Sequence, residues 1–272
     1  MDSLRSVQQW PVDTVAAAVV DATGAVVGSH GPQDRLFRLA SVTKLLTAYA
    51  VLLAVEEGAV DWEQPAGPPG ATIRHLIAHA SGLPFDTDRV AAAPGAGRIY
   101  SNTGFAALAR AVQEASGIGF GDYLAEGVFH PLGMTSSRLA GPAGTGAVSS
   151  CADLARFAAE LQAPAVLAPQ TLADATQVAY PGLDGVLPGF GMQRPNDWGL
   201  GFELRGHKSP HWTGSHNSPE TFGHFGQSGT FLWVDPKAGV ACIALTDRDF
   251  DQWAKDAWPA LSDGVLAELT GH

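Results

Sequence analysis

The stretch RLASVTKLLTAYAVLLAVEEG, residues 38–58, carries almost only apolar side chains after Thr43. A helix that is apolar on every side is buried in the core of a protein. The pattern therefore predicts a core helix over residues 42–57. Its first turn nevertheless carries Lys44, one of only four lysines in the chain of 272 residues. A lysine in this position needs either a route to water or a chemical role.

Ser41 lies three residues before Lys44, so on a helix the two side chains share one face about one turn apart. Free backbone N–H groups and the helix dipole favour negative charge at the start of a helix. Burial lowers the pKa of a lysine because water no longer stabilises the ammonium form. Lys44 could therefore accept the proton of a Ser41 nucleophile while backbone amides stabilise an oxyanion. The alternative is that Lys44 only extends to solvent.

Composition and charge limit the classes of protein. The chain is 46% hydrophobic and 16% charged, as in packed globular proteins. Its net charge of -11, without a basic run, argues against nucleic acid or an anionic membrane as a partner. The N-terminus lacks a signal-peptide pattern, and the apolar run Leu45–Val55 is too short to span a bilayer. We expect a cytoplasmic protein in which Cys151 and Cys242 are isolated buried thiols.

Strand patterns lie at both ends of the chain, and helix patterns lie between them. The predicted strands cover residues 14–21, 24–30, 35–40, 199–204, 229–235 and 240–247. Besides the core helix, the predicted helices cover residues 72–79, 103–115, 120–128, 151–162 and part of 251–269. This order predicts an α+β fold in which one sheet is built from both termini and flanked by helices. We expect a single domain over residues 1–272, with a sheet region of about 12–45 and 198–272 and a mostly helical inserted region of about 46–197.

Three short motifs follow one another along the chain: Ser41-Val42-Thr43-Lys44, Tyr100-Ser101-Asn102 and His224-Phe225-Gly226. With their flanking residues they resemble the motifs of the serine β-lactamase and penicillin-binding-protein superfamily. The similarity is greatest to its class C-type members, which include D-alanyl-D-alanine peptidases and family VIII carboxylesterases. It covers about residues 15–246 and implies a β-lactamase/transpeptidase-like fold with an antiparallel sheet.

The resemblance implies a catalytic role for five residues. Ser41 would attack a substrate carbonyl and become acylated. Lys44 and Tyr100 would share the role of general base, and Tyr100 would later protonate the leaving group. Asn102 would position Lys44 and the acyl group of the substrate. His224 would take the place of a cationic group that supports Tyr100.

The third motif is also where the chain departs from the family. The resemblance implies an oxyanion hole made by the backbone N–H groups of Ser41 and Gln227, next to Gly226. Phe225 stands where the family usually has Thr or Ser, whose hydroxyl commonly helps to hold a substrate carboxylate. A phenylalanine that faces the pocket would favour an apolar group instead. This change favours an esterase or amidase that acts on small acyl substrates.

Other functions remain open at this point. Within the same superfamily the alternatives are a β-lactamase and a D-alanyl-D-alanine carboxypeptidase, so the substrate would be a small ester, amide or β-lactam. From another class, the chain could be a penicillin-recognising sensor that is acylated without turnover. The pattern Gly-x-Ser-x-Gly is absent, which gives no support to an α/β-hydrolase. His75 and His79 have a zinc-like spacing but no obvious third ligand, so we expect neither a metal nor another cofactor.

The segment 205–224 is rich in His, Ser, Gly and Pro and predicts a long loop before the third motif. Long loops inside a compact domain are often functional. We expect this loop to overhang the site, with Trp212, His216 or Asn217 near the substrate. The sequence gives no indication of the oligomeric state.

Overall fold

The structure is a computed structural model and describes residues 1–270. In chain order its strands are β1 (Val15–Asp21), β2 (Val26–His30), β3 (Phe37–Arg38), β4 (Arg138–Leu139), β5 (Ala147–Ser149), β6 (Gly185–Leu187), β7 (Gly191–Gln193), β8 (Glu203–Leu204), β9 (Phe222–Gly226), β10 (Thr230–Asp235) and β11 (Val240–Thr246). Its α-helices are α1 (Thr43–Glu56), α2 (Ile73–Ile77), α3 (Asn102–Ser116), α4 (Phe120–Leu124), α5 (Cys151–Gln162), α6 (Pro169–Ala175) and α7 (Gln252–Thr270).

The largest sheet has six strands in the order β2-β1-β11-β10-β9-β8. Every neighbouring pair is antiparallel, and the N-terminal β1 lies beside the C-terminal β11, with Val19 opposite Cys242. The two termini thus build one sheet, and most of the helices lie between them in sequence. The predicted α+β, β-lactamase/transpeptidase-like fold is confirmed.

Both faces of this sheet are covered, because successive side chains of a strand point to opposite faces. Along β1, Ala16 and Ala18 belong to the core that also contains residues of α1 and α5. Ala17 and Val19 belong to a second core, which α7 and the 3-10 helix Ser3–Gln9 cover. The strands therefore read as continuous apolar runs instead of alternating patterns.

The long helices begin and end close to their predicted positions. α1 covers residues 43–56, and most of its side chains are buried, as an all-apolar pattern predicts. α5 covers the predicted residues 151–162, and the side chain of Ser150 accepts a hydrogen bond from the Asp153 amide at 3.1 Å. Such a cap satisfies one of the free N–H groups at the helix start.

The shorter elements differ from the prediction. Residues 3–9 form a 3-10 helix, and the predicted strand 199–204 is reduced to β8. The reason is a tight turn in which Gly201 has a φ of 88° and the Gly199 amide donates to the Phe202 carbonyl. Helix α6 and strands β4 to β7 were not predicted, because elements of two to seven residues carry little periodicity.

The longest helix is α7, with 19 residues. Its apolar side, which includes Trp258 and Leu261, packs on the sheet, while Gln252 and Asp256 are exposed and bond to each other at 2.8 Å. Charged and polar residues thus cover its outer side. No helix within residues 1–270 is long and apolar enough to cross a membrane.

Candidate active site

Ser41 lies in a 3-10 turn that joins β3 to α1. The preceding Ala40 has a φ of 45°, which is uncommon for a residue other than glycine. The hydroxyl of Thr230 on β10 donates to the Leu39 carbonyl at 2.9 Å and so ties this turn to the sheet. The main sheet therefore fixes where the Ser41 hydroxyl sits.

Gly226, at the end of β9, packs directly on the same turn. A Cβ added at Gly226 would lie 2.3 Å from the Leu39 carbonyl oxygen and 3.2 Å from the Cβ of Ala40. Only glycine allows two backbone segments to approach this closely. Gln227 follows and lines the cavity that contains Ser41. The residues predicted to form the oxyanion hole are thus next to each other.

Lys44 is fully buried and does not extend to solvent. Its Nζ lies 3.4 Å from Ser41 Oγ, and it donates to Asn102 Oδ1 at 2.6 Å and to the Gly144 carbonyl at 2.9 Å. Burial lowers the pKa of Lys44 to about 7, although the Asp86 carboxylate opposes this shift. A neutral amine has two N–H donors and one lone pair. With both donors engaged by Asn102 and Gly144, the lone pair is left for Ser41.

The orientation of the Asn102 amide is fixed by a second partner. Its Nδ2 donates to Asp86 Oδ1 at 2.8 Å, so its Oδ1 faces Lys44. Asp86 lies in an exposed loop and Gly144 acts through its carbonyl, so sequence analysis assigned neither residue to the site. A carbonyl contact leaves no trace in residue type, which is why Gly144 could not be found from the sequence.

Tyr100 and His224 form a second buried pair, with the phenol oxygen 3.2 Å from His224 Nε2. His224 Nδ1 lies 2.6 Å from the Phe225 carbonyl, which can only accept, so Nδ1 carries the ring proton. Burial, together with the charge on Lys44, lowers the pKa of His224 to about 3. His224 is therefore neutral near pH 7 and accepts a hydrogen bond from Tyr100. His224 thus lies where the resemblance implies a cationic group, but as a neutral imidazole.

Tyr100 is protonated at neutral pH. Burial raises the pKa of its phenol, and a hydrogen bond with Ser41 opposes this only in part. Lys44 Nζ lies 4.6 Å from the centre of the Tyr100 ring. Of the two predicted bases, Lys44 is the one whose pKa is close to neutrality. Tyr100 is better suited to donate or relay a proton.

The cavity beside Ser41 has a volume of about 70 Å³. It is lined by Ser41, Phe85, Tyr100, Leu187, Pro188, Trp198, Glu203, His224, Phe225 and Gln227. Phe225 also packs on Phe250, with ring centres 4.9 Å apart, so its position is fixed from behind. Sites for drug-sized ligands have volumes of about 300–1,000 Å³. The space next to the Ser41 hydroxyl therefore suits a small group.

Sequence analysis missed Glu203, a buried carboxylate that lines this cavity. It accepts hydrogen bonds from Lys208 Nζ, from His211 Nε2 at 3.0 Å and from Trp212 Nε1 at 2.9 Å. The Thr213 amide donates to His211 Nδ1, so the other ring nitrogen carries the proton. Burial raises the pKa of Glu203, but Lys208 and His211 outweigh it and lower the value to about 2. A carboxylate inside the apolar pattern GLGFEL was the available signal.

The loop at residues 205–224 does not cover the site. Trp212 is buried behind Phe225, with ring centres 5.8 Å apart, one layer away from the cavity. His216 is exposed and its backbone amide donates to Asp263 of α7 at 2.8 Å, while Asn217 accepts a hydrogen bond from the loop backbone at 2.9 Å. The prediction that this loop overhangs the site is wrong, because its interior is organised around Glu203.

The hairpin of β6 and β7 lies at the site instead. Leu187 and Pro188, from its first strand and its turn, line the cavity. The hairpin is joined to the segment before Tyr100, because the Arg98 amide donates to the Asp184 carbonyl at 2.9 Å. Sequence analysis assigned this region only to the helical insertion.

His75 and His79 have different partners. His75 Nδ1 bonds to the Thr72 hydroxyl at 2.9 Å. The His79 ring lies 4.6 Å from the Tyr100 ring, and its Nδ1 accepts from the Ser101 amide at 3.1 Å. His79 thus contacts two residues of the second motif, Tyr100 and Ser101, and helps to hold them in place. Within residues 1–270, no group of three or more His, Cys, Asp or Glu side chains is arranged to hold a metal ion.

A serine beside a buried amine, packed against an antiparallel sheet that is flanked by helices, is the arrangement expected of a serine hydrolase with the β-lactamase/transpeptidase-like fold. The family model named Beta-lactamase matches residues 9–265. The chain therefore belongs to the Beta-lactamase family, a family of serine hydrolases.

Known proteins with similar chains or structures carry different names. A beta-lactamase from Mycobacterium bovis is 58% identical, with a TM-score of 0.97 over 98% of this chain and 99% of its own. Simvastatin synthase from Aspergillus terreus shares the fold at 20% identity, with a TM-score of 0.81 over 98% and 97% of the two chains. Penicillin-binding protein 4* of Bacillus subtilis is 33% identical, and the match covers 39% of this chain and 31% of that protein. Matches to the curated relatives cover less than half of their length.

Proposed function

We propose that the protein hydrolyses small esters or amides through an acyl-enzyme on Ser41. The observation that carries this proposal is the buried Lys44, whose Nζ lies 3.4 Å from Ser41 Oγ and whose pKa is about 7. An amine with this pKa is half deprotonated near neutral pH and can accept the serine proton. A general base is most effective when its pKa lies near the working pH.

In the first step, Ser41 Oγ attacks the carbonyl carbon while its proton moves to the Lys44 lone pair. The backbone N–H groups of Ser41 and Gln227 stabilise the oxyanion that forms. Tyr100 then protonates the leaving group, and the Lys44 ammonium returns a proton to Tyr100. His224, as a neutral acceptor at 3.2 Å, keeps the Tyr100 hydroxyl in place between these transfers.

In the second step, a water molecule attacks the acyl carbon of the Ser41 ester. Lys44, neutral again, accepts a proton from this water directly or through Tyr100. The tetrahedral intermediate collapses, Ser41 takes a proton back, and the acid is released. Both steps use the same groups in reverse order, as hydrolysis through an acyl-enzyme requires.

The preference for small acyl groups is supported by the volume and lining of the cavity. About 70 Å³ next to Ser41 holds only a few heavy atoms. Phe225 lines this space and offers no hydroxyl to a substrate carboxylate. A small, uncharged acyl group therefore fits better than the acidic ring system of a penicillin.

A β-lactamase is the second candidate, because the relative from Mycobacterium bovis that bears this name is 58% identical over nearly the whole chain. A D-alanyl-D-alanine carboxypeptidase is a further alternative. AmpH of Escherichia coli, which carries that description, is 29% identical over 167 residues. A sensor would share the first step, acylation, and lack the second.

Steady-state kinetics separate these functions. We expect kcat/KM for p-nitrophenyl acetate to exceed that for benzylpenicillin at least about 100-fold, and Lys44→Met to lower ester turnover by about 10²–10⁴-fold. Faster turnover of benzylpenicillin would contradict the esterase proposal. Release of one equivalent of nitrophenol without further turnover would indicate a sensor.

A further inference from the structure

A second depression adjoins the catalytic cavity and has a volume of about 490 Å³. The two share Phe85, Tyr100 and Pro188 as lining residues. The larger depression has six apolar or aromatic lining residues, which we call the side groove: Phe85, Ile99, Tyr100, Val186, Pro188 and Met192. A ligand bound at Ser41 can therefore continue past Tyr100 into the side groove.

The side groove is apolar although it is open to solvent. Phe85, Val186 and Met192 are 50%, 51% and 52% exposed. Single exposed apolar side chains are ordinary, but a contiguous set in a concave surface is typical of a binding site. These three come from two segments that are about a hundred residues apart in sequence. Their convergence beside the nucleophile is a property of the fold.

The walls of the side groove are held in place. The Phe85 ring stacks on the Tyr100 ring with centres 5.8 Å apart. The Phe85 carbonyl accepts a hydrogen bond from the backbone N–H of Asn102 at 2.8 Å. On the opposite wall, the Arg98 amide bonds to the Asp184 carbonyl and anchors the hairpin of β6 and β7. Preformed walls lose little conformational entropy when a ligand binds.

The charged residues near the side groove are engaged elsewhere. The guanidinium of Arg98 is buried and donates to the carbonyls of Asn196 at 3.1 Å and Ala179 at 2.7 Å. Asp184 lines the same depression and pairs with Arg194 at 3.5 Å. Neither group directs a free charge into the groove. Its chemistry therefore suits an alkyl or aryl group.

The position of Tyr100 indicates which part of a substrate enters the side groove. The leaving atom has to lie within reach of the Tyr100 hydroxyl, so the group attached to it continues along the Tyr100 ring. The acyl group stays in the cavity of about 70 Å³ on the Ser41 side. We propose, on the basis of the hydrolase function proposed above, that the side groove binds the apolar alcohol or amine part of the substrate.

Isomeric esters test this assignment. Hexyl acetate and ethyl hexanoate have the same composition, but they carry the long chain on opposite sides of the ester bond. A methylene that is half buried contributes about a twofold gain in kcat/KM, so four extra methylenes give roughly tenfold or more. We expect hexyl acetate to exceed ethyl acetate by about this factor, and ethyl hexanoate to show no gain.

A matched pair of variants locates the effect. Val186 and Val26 are strand valines with 51% and 52% exposure, and only Val186 lies in the side groove. We expect Val186→Asp to abolish the preference for hexyl over ethyl acetate and Val26→Asp to retain it. A gain for ethyl hexanoate instead, no gain for either ester, or equal effects of the two variants would overturn the inference. Absence of turnover of every ester, p-nitrophenyl acetate included, would overturn the proposed function and this inference with it.

Discussion

Among single residues, Lys44 determines how the site responds to pH. It is fully buried, and desolvation lowers its pKa to about 7 although the Asp86 carboxylate opposes the shift. The pKa values of its two neighbours are far from 7, since that of His224 is about 3 and that of Tyr100 is raised above its ordinary value. Of Lys44, Tyr100 and His224, only Lys44 therefore has a pKa near neutrality.

The pKa of Lys44 predicts how the rate of ester hydrolysis depends on pH. The neutral form of Lys44 is the base, so kcat/KM for p-nitrophenyl acetate should rise with pH and level off above an apparent pKa of about 7. His224→Gln should lower the rate but keep this inflection, because His224 is already neutral there. The measurement is kcat/KM between about pH 5 and about pH 9 for both proteins. If the acidic limb disappears in His224→Gln, then His224 and not Lys44 is the titrating group, and the prediction is contradicted.

Asp86 should act as a positioning residue through Asn102. Its carboxylate orients the Asn102 amide and raises the pKa of Lys44. Asp86→Asn should therefore move the acidic limb to lower pH and reduce kcat about tenfold, because Lys44 loses its alignment. Asp88→Asn, two residues further in the same exposed loop, is the matched control and should change neither quantity. If both variants lower kcat equally with no shift of the limb, Asp86 has only a structural role.

Among the secondary-structure elements, β9 and the Ser41 turn approach each other so closely that only glycine fits at position 226. Gly226→Ala would place a Cβ 2.3 Å from the Leu39 carbonyl and 2.5 Å from Thr230 Oγ1, so the backbone has to shift. We expect a loss of about 1–3 kcal/mol in the free energy of unfolding and at least a tenfold loss of activity. Urea unfolding and ester turnover measure the two effects.

The control for this substitution is Gly121→Ala in α4, where an added Cβ meets nothing within 4 Å. Alanine is favoured over glycine inside a helix, so this variant should keep its activity and its stability or gain slightly. A Gly226→Ala protein as stable and active as Gly121→Ala would contradict the account of the Ser41 turn.

The long elements were predictable because each buries enough apolar surface to leave a pattern in the sequence. The sequence pattern predicted helices α1 and α5 and strands β1, β10 and β11 close to their observed positions. The hairpin of β6 and β7 did not, because its two strands have three residues each and Val186 and Met192 are exposed. It is held by pairing with the distant Arg98, and such pairing leaves no local signal.

For the molecule as a whole, Glu203 joins the edge strand β8 to the long loop that follows it. Glu203 and the three side chains that donate to it, Lys208, His211 and Trp212, are called the Glu203 cluster. Glu203→Ala would leave the Lys208 ammonium buried without its partner, at a cost of about 3–5 kcal/mol in the free energy of unfolding. The double variant Glu203→Ala with Lys208→Met should recover part of this loss. Urea unfolding of the three proteins is the measurement. A double variant no more stable than the single one would contradict the pairing argument.

The same cluster sets a limit on stability in acid. Folding lowers the pKa of Glu203 from its ordinary value of 4.5 to about 2, so its contribution to stability is fully present above the higher value. That contribution is lost as the pH falls through the lower value. The wild-type protein should therefore lose stability between these pH values by more than Glu203→Gln does. Equal acid sensitivity of the two proteins would show that Glu203 is not the group responsible.

Some residues of the candidate site could be recognised in the sequence, whereas the roles of others became clear only from the structure. Residues 41–44, 100–102 and 224–226 were recognisable as motifs, and the structure brings them together around one cavity. The neutral state of His224 follows from its burial, which residue type alone does not show. Gly144 contributes only a carbonyl, and Trp212 is held in the core by Glu203, so neither role follows from residue type. Contacts of this kind depend on loops whose paths are decided by non-local packing.

Formation of an acyl-enzyme on Ser41 is the step on which all of these expectations depend. Intact-protein mass spectrometry after brief exposure to p-nitrophenyl acetate, followed by peptide mapping, measures it directly. We predict one acetyl group per chain, located on Ser41, that disappears with time as the ester hydrolyses. Ser41→Ala, confirmed as folded by circular dichroism, should carry none. An adduct of equal amount in Ser41→Ala, or one mapped to another residue, would contradict the proposed mechanism.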